Sequence, residues 1–379
     1  MKKLILCSIL VLSGNAALAD TTLISNVNGY TLNDDRQLQQ FSAIQFSDDT
    51  IDRIFLEGDA LPGDVEHVID GDGQTLIPGL VDSHGHVLSY GLSLLRVDLI
   101  GSDSEEEAAR RVGDFSANNT ELEWIQGRGW NQVLWPSNEF PSAASLDAVV
   151  SDKPVWLSRV DGHAAWANSA AMELAGITRQ TEDPDGGQII RDANGDATGV
   201  FIDNAMDLVS QHIPNLTADE IEYALLTSMQ GLAAAGLTSV HDAGVGSSTI
   251  QSYKNLVAEN PLPIRINVMI SAGDENYELL LDQGHYRDTA ESLTINSVKI
   301  AADGALGSRG AALIDDYSDE PGHRGLLLLD EERLQYFMRR AMNANFQVNT
   351  HAIGDNANMI VLDNYQALIE ETNSRDRRH

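Results

Sequence analysis

An α/β protein with a parallel sheet is the fold class that the sequence predicts, and three observations support it. From about residue 215, apolar β-type runs alternate with helix-type segments, the first of which begins with a capping box at Thr217 and Glu220. Such a βα series usually forms a parallel sheet that is covered on both faces. Five apolar strands are predicted to end near His86, Asp242, Ile270, Lys299 and His351. Five strands indicate either an open doubly wound sheet or a barrel without three of its eight strands.

The first nineteen residues predict a secretory signal peptide. Lys2 and Lys3 precede an apolar run at 4–12, and the Ala-Leu-Ala at 17–19 fits a cleavage site. The run is too short for a membrane anchor, so we expect its removal and a soluble, periplasmic product. The single cysteine, Cys7, lies inside this segment. We therefore expect neither a disulfide nor a thiolate ligand in the mature chain.

The charge balance limits the classes of partner. The 379 residues contain 24 basic and 57 acidic side chains, for a formal net charge of −33. Nucleic acids and anionic membranes would repel such a chain, so we expect neither as a partner. A small-molecule substrate remains the expected ligand, and the sequence predicts no oligomeric state.

Four segments follow from the change of pattern along the chain. After residues 1–19, short alternating runs separated by turn residues predict a small β-meander over 20–77. Residues 78–100 and 211–379 carry the βα series. Residues 101–210 break its rhythm, and we interpret them as an inserted α/β lobe that covers the strand ends.

The stretch GLVDSHGHVL at 79–88 places His84 and His86 two residues apart at the end of an apolar run. On a strand, this spacing directs both side chains to one face. Neutral imidazole is a common metal ligand, and parallel α/β proteins keep their sites at the carboxyl ends of strands. A metal site is therefore one interpretation. Two surface histidines in a loop are the other.

Lys299 and His351 extend the candidate site to two further strand ends. Burial of Lys299 in the apolar stretch SVKIA would lower the pKa of its amine. A neutral amine can react with carbon dioxide, giving a carbamate able to bridge two metal ions. An ion pair between Lys299 and a carboxylate such as Asp303 is the alternative. His351 ends the next strand and would face the same pocket if the sheet closed into a barrel.

Four motifs then resemble a known family. IPGLVDSHGHV at 77–87 resembles the first-strand motif of the amidohydrolase superfamily. GRGWNQVLWP at 127–136, SRVDGHAAWANSAAMELAGI at 158–177 and VKIAADGALGSRGAAL at 298–313 are similar to its YtcJ-like branch, which includes N-substituted formamide deformylases. The resemblance implies a (β/α)8 TIM barrel, with about five of eight βα units present. It also implies that 20–77 forms the N-terminal part of a β-sandwich domain.

The resemblance implies a metal-dependent hydrolase that cleaves a C–N amide bond in an N-acyl or N-formyl amine. By position, its metal ligands would be His84, His86, Lys299 and His351, around one or two divalent ions, most simply Zn²⁺. Lys299 would be the carboxylated bridging lysine of two-metal members. The family pattern continues with a sixth-strand histidine and an eighth-strand aspartate, the general base, whereas this sequence stops at SRDRRH. We therefore expect a C-terminally truncated chain that lacks the base.

Candidates for substrate contacts are Trp130 and His163 in the lobe, and Asp303 and Arg309 after the lysine strand. Three have a structural alternative: core packing for Trp130, capping or packing for His163, and a surface ion pair for Arg309. Asp303 and Arg309 could also act as partners that orient the metal ligands. His241 and Asp242, at the end of the second strand, are interpreted as structural residues. Two alternative functions stay open. One is hydrolysis of a carbamate, cyclic amide or ester on the same scaffold, and the other is a non-catalytic metal-binding relic.

Overall fold

The computed structural model describes residues 21–48, 50–184, 186–306, 309–374 and 378–379. The predicted signal peptide and Cys7 lie outside the described residues. Within the described part of the chain, no helix combines the length and apolar character needed to cross a membrane. The chain divides at Gly79 into two compact units, and these are considered in turn.

The first unit contains two small mixed sheets rather than the expected meander. Its strands are β1 (Thr21–Ser25), β2 (Asn28–Leu32), β3 (Leu38–Phe41), β4 (Ala43–Ser47), β5 (Thr50–Phe55), β6 (His67–Asp70) and β7 (Thr75–Leu76). One sheet has the order β5-β4-β1-β6 and the other β3-β2-β7. The hairpins β2–β3 and β4–β5 are antiparallel, as turn signals predict. The later strands β6 and β7 instead return in parallel to β1 and β2, which local turn residues do not indicate.

The second unit contains the remaining strands and all the helices of the described residues. They are β8 (Leu80–Gly85), α1 (Val87–Leu94), β9 (Val97–Asp98), α2 (Glu105–Asn118), β10 (Ile125–Trp130), a 3-10 turn (Gln132–Leu134), α3 (Ala143–Asp147), β11 (Val155–Arg159), β12 (Ala164–Ala167), α4 (Ser169–Leu174), β13 (Gly187–Arg191), β14 (Ala197–Asp203), a 3-10 turn (Asn204–Met206), α5 (Asp207–Ser210), α6 (Ala218–Ala234), β15 (Leu237–Val245), α7 (Ser247–Glu259), β16 (Arg265–Ser271), α8 (Tyr277–Asp282), β17 (Tyr286–Arg287), β18 (Leu293–Ala301), α9 (Glu331–Asn343), β19 (Gln347–His351) and α10 (Asp355–Thr372).

Five parallel strands form the sheet that positions the site, and they are the five that the sequence predicts. Their spatial order, β8-β15-β16-β18-β19, is also their order along the chain, and the short β17 adds an antiparallel pairing to β18. The predicted capping box is present, because Thr217 and Glu220 satisfy each other's backbone N–H groups at the start of α6. This is the TIM-barrel-like α/β class predicted from the sequence, with five strands of the eight-strand pattern.

Apolar side chains hold this sheet against its helices. Val268, Val298 and Val348 are fully buried on three neighbouring strands and belong to one cluster with helix residues such as Leu225 and Met338. Burying one such side chain stabilises the fold by about 1.5–3 kcal/mol. Because strand residues point alternately to the two sides, the intervening positions face the other side of the sheet. Lys299 lies between the buried Val298 and Ile300.

The inserted lobe is built on its own six-stranded sheet, with the order β13-β14-β12-β11-β10-β9. This sheet begins at Val97, which lies before the predicted boundary at residue 101. A cluster containing Trp130, Trp135 and Trp166 packs on it as the core of the lobe. The lobe is therefore a folded α/β element of the second unit.

Candidate metal centre

His84 and His86 lie where the first barrel strand meets the first helix. His84 is on β8, whereas His86 lies one residue beyond the strand, at the N-cap of α1. The expectation that both histidines share a strand face therefore needs correction, because the second has left the strand. The two rings are still neighbours, with centroids 5.5 Å apart and planes inclined by 66°. The turn from β8 into α1 brings the two imidazoles together, rather than the alternation of side chains along a strand.

A hydrogen bond sets the tautomer of His86. Its Nδ1 lies 3.0 Å from the carbonyl oxygen of Ala243 on β15. A carbonyl only accepts hydrogen bonds, so Nδ1 carries the proton and donates it. The lone pair of neutral His86 is then on Nε2, which is the nitrogen left to bind a ligand.

The buried carboxylate of Asp242 fixes the turn that carries His86. One oxygen accepts the backbone N–H of Val87 at 2.9 Å, and the other accepts the hydroxyl of Tyr253 at 2.9 Å. Burial raises the pKa of Asp242, and burial also raises that of Tyr253, so the phenol remains a donor. Since each oxygen already accepts a hydrogen bond, Asp242 has a structural role here.

Lys299 contacts His84 directly across the sheet. Its Nζ lies 2.9 Å from His84 Nε2. Burial lowers the pKa of the Lys299 amine. The pKa of His84 is lowered first by burial and then by the charges of Lys299, His86 and His351. The two groups that contact each other therefore both have a lowered pKa. The alternative pairing of Lys299 with Asp303 is not found among the described residues.

Asp303 holds the loop that follows His351. It is 1% exposed, and its carboxylate accepts three backbone N–H groups, from Ala312 and Ile353 at 2.9 Å each and from Gly354 at 2.7 Å. His351 Nε2 lies 3.8 Å from the same carboxylate. The prediction of a substrate contact for Asp303 is therefore corrected, because its oxygens are buried and bonded to backbone.

The other predicted substrate contacts lie elsewhere. Trp130 is fully buried in the lobe core, and its indole N–H donates to the Leu157 carbonyl at 2.7 Å, so this side chain offers no surface to a substrate. His163 Nδ1 lies 2.8 Å from Asp203 Oδ1 on the exposed lobe surface. Arg309 pairs with two surface carboxylates, its structural alternative. None of the three lines the cavity beside Lys299.

That cavity, of about 740 Å³, opens beside Lys299 and His86. Its other walls come from β15, the loop after β16, α8, and α9 with the residues just before it, and no lobe residue is among its described lining residues. Aromatic walls include Tyr277 and Phe337, and the guanidinium of Arg333 lies 4.7 Å from the Phe337 ring centroid. Arg333 and Phe337 were not predicted as wall residues because EERLQYFMRR shows only the periodicity of a helix.

The chemistry of these donors fits a divalent metal. Among the described residues, no three His, Cys, Asp or Glu side chains are gathered closely enough to hold an ion by themselves. The four predicted ligands at the strand ends are three histidines and Lys299, and Lys299 contacts His84. Neutral imidazoles are common zinc ligands, and a lysine carbamate would add carboxylate-type oxygens. The four predicted ligands are thus a chemically consistent set that includes the lysine in carbamate form.

Comparison with known proteins gives consistent matches. The model of the amidohydrolase family (Amidohydro_3) matches residues 67–379. The chain is 36% identical over 326 residues to the Arabidopsis thaliana protein LONG AFTER FAR-RED 3, covering 83% of this chain and 56% of the relative. It is 33% identical over 291 residues to the Bacillus subtilis protein YtcJ, covering 75% of this chain and 54% of the relative.

A third relative, the N-substituted formamide deformylase of Arthrobacter pascens, is 27% identical over 321 residues, covering 81% of this chain and 58% of the relative. The chain thus spans little more than half the length of these relatives. The crystal structure of a metal-dependent hydrolase from Pyrococcus horikoshii superposes with a TM-score of 0.73 at 27% identity, covering 92% of this chain and 68% of that one.

Proposed function

The chain belongs to the amidohydrolase family, and from this membership we propose that the protein is a metal-dependent hydrolase of C–N amide bonds. The substrate class that we propose is an N-acyl or N-formyl amine. Support for that class comes from the relative named as an N-substituted formamide deformylase. Further support comes from a cavity whose aromatic walls suit the apolar part of such an amine.

One observation carries the proposal, namely the 2.9 Å contact between Lys299 Nζ and His84 Nε2. A lysine next to a histidine is unfavourable while both are protonated, since like charges repel. The pKa of each group is lowered, so both deprotonate more readily than they would in water. Neutral imidazole and neutral amine are the forms that bind a metal and react with carbon dioxide, respectively.

The side chains would then have separate roles. A bound divalent metal, which we propose to be zinc, supplies Lewis-acid activation of water and of the amide carbonyl. His84 and His86 would hold it through Nε2, and the Ala243 carbonyl keeps the His86 ring in position. The Lys299 amine would attack carbon dioxide, forming an N–C bond and releasing one proton, and the resulting carbamate would supply oxygen ligands. His351 would be the fourth ligand.

Metal content and activity test this function together. Protein that also includes the eighth-strand aspartate implied by the family resemblance would be purified, assayed for bound zinc by mass spectrometry, and assayed for hydrolysis of N-formyl and N-acyl amines. Changing both His84 and His86 to alanine should remove metal and activity. His212→Ala is the matched control, since His212 is exposed and lies outside the site. Retained metal in the double variant would refute the ligand assignment, and full metal without amide hydrolysis would refute the substrate class.

We also propose export to the periplasm, supported by the pattern of residues 1–19. Expression of the whole chain in a Gram-negative host should give a periplasmic product shortened by this segment. N-terminal sequencing of that product tests the proposal, and an uncleaved cytoplasmic product would contradict it.

A further inference from the structure

Arg96 is a half-buried arginine without a counter-ion. It lies in the short connection between α1 and β9. Among the residues that the structure describes, no oxygen accepts a hydrogen bond from its guanidinium and no carboxylate pairs with it. Burial lowers the pKa of Arg96, and no neighbouring acid acts to raise it. A guanidinium carries five donors, so partial burial of this group without a protein acceptor is unfavourable.

Other half-buried arginines of the second unit are compensated. Arg111 bonds to Glu107 and to two backbone carbonyls. Arg340 pairs with Glu278 at 2.7 Å and also with Asp282. Arg96 therefore differs from its counterparts in having burial without a partner. A group of this kind is a candidate for recognising a ligand.

The Arg96 side chain lines a separate cavity of about 250 Å³. This cavity lies between the lobe and α6 and shares no lining residue with the cavity beside Lys299. Its walls are largely apolar and aromatic, and they include Phe115, Leu122, Trp124 and Tyr223. The volume lies just below the range of about 300–1,000 Å³ typical of drug-sized ligands, so it suits a smaller molecule.

Two acids also line this cavity, and neither neutralises Arg96. Glu220 directs one oxygen, Oε2, to Thr217, whose backbone N–H and hydroxyl it accepts at 2.8 Å each, and it forms no ion pair with Arg96. Glu121 is exposed to solvent. Arg96 is thus paired with neither acid, and it is the one basic side chain among the described residues that line this cavity. It is bordered by apolar walls.

We propose that this cavity binds a small organic carboxylate, with its charged group on Arg96 and its aliphatic or aromatic body against Phe115, Leu122 and Trp124. A guanidinium binds a carboxylate through two parallel hydrogen bonds. The ligand would supply the counter-ion that the protein does not. This site is independent of the metal centre and of the proposed hydrolysis.

The test uses metal-free protein, so that a carboxylate cannot bind to a metal instead. Calorimetric titration would compare phenylacetate with 2-phenylethanol and with phenethylamine, which share the aromatic body but differ in charge. Phenylacetate should bind at least about tenfold more tightly than the alcohol, since one charge-assisted hydrogen bond contributes at least that much. Its binding should also change the fluorescence of Trp124, and Trp124→Phe should abolish that change.

Variants separate this proposal from general effects of charge or folding. Arg96→Gln should remove the preference for phenylacetate, and Arg96→Lys should retain part of it. Arg265→Gln is the matched control, because Arg265 is exposed and distant in sequence, and it should bind as the wild type does. Equal binding of the acid and the alcohol, preference for the amine, or no binding at millimolar concentration would each overturn the proposal. An unchanged preference in a folded Arg96→Gln protein would do so as well.

Discussion

Replacing Asp303 with asparagine should destabilise the second unit by about 2–4 kcal/mol. Asp303 Oδ2 accepts the N–H groups of Ala312 and Gly354, and Oδ1 accepts that of Ile353. An asparagine can turn its oxygen toward only one side. Its amide group would then face an N–H donor, whether that of Ile353 or those of the other two residues.

The magnitude follows from these three bonds. A buried N–H left without an acceptor costs about 1–3 kcal/mol. The remaining bonds change from charge-assisted to neutral, which weakens each of them by roughly 1 kcal/mol. Removing the buried charge itself offsets part of this loss. A net decrease of about 2–4 kcal/mol in the free energy of unfolding results.

Urea denaturation of metal-free protein, followed by tryptophan fluorescence, measures this free energy. The control is Asp319→Asn, because Asp319 is exposed and a surface ion pair such as its pairing with Arg309 contributes little to stability. If both variants lost the same free energy within error, the structural role derived for Asp303 would be refuted. An altered urea dependence would instead indicate a change in the denatured or native ensemble.

Two further predictions concern helix packing and the metal ligands. Gly91→Ala should lower the midpoint temperature of unfolding, because a Cβ at Gly91 would overlap the carbonyl oxygen of Ala224 on α6. The control Gly231→Ala, on α6, should be neutral or stabilising. Equal midpoints for the two variants would contradict this packing. In metal-free protein, NMR titration should place the pKa of His84 below 6.5, so that its neutral, metal-binding form persists to lower pH. Lys299→Met should raise that pKa, because the variant removes a nearby positive charge. An unchanged pKa in the variant would show that the lysine charge does not act on His84.

The order of the parallel strands was predictable from the sequence because it follows local information. Apolar runs bounded by turns specify strands, and a capping box specifies the start of α6. Consecutive strands of a βα series usually pair side by side, which accounts for five neighbours in chain order even though the connection from β8 to β15 contains the lobe. The return of β6 and β7 to their sheets was not predictable, since it depends on pairing between residues far apart in sequence.

The sequence by itself thus determined which polar residues arrive at strand ends, including His84, Lys299 and His351. Only the tertiary structure decided what each side chain meets there. It placed Lys299 against His84, enclosed Trp130 in the lobe core, and left Arg96 half-buried without an ion pair. The physical reason is that local periodicity specifies the direction of a side chain. Its partners depend on how separately formed elements pack together.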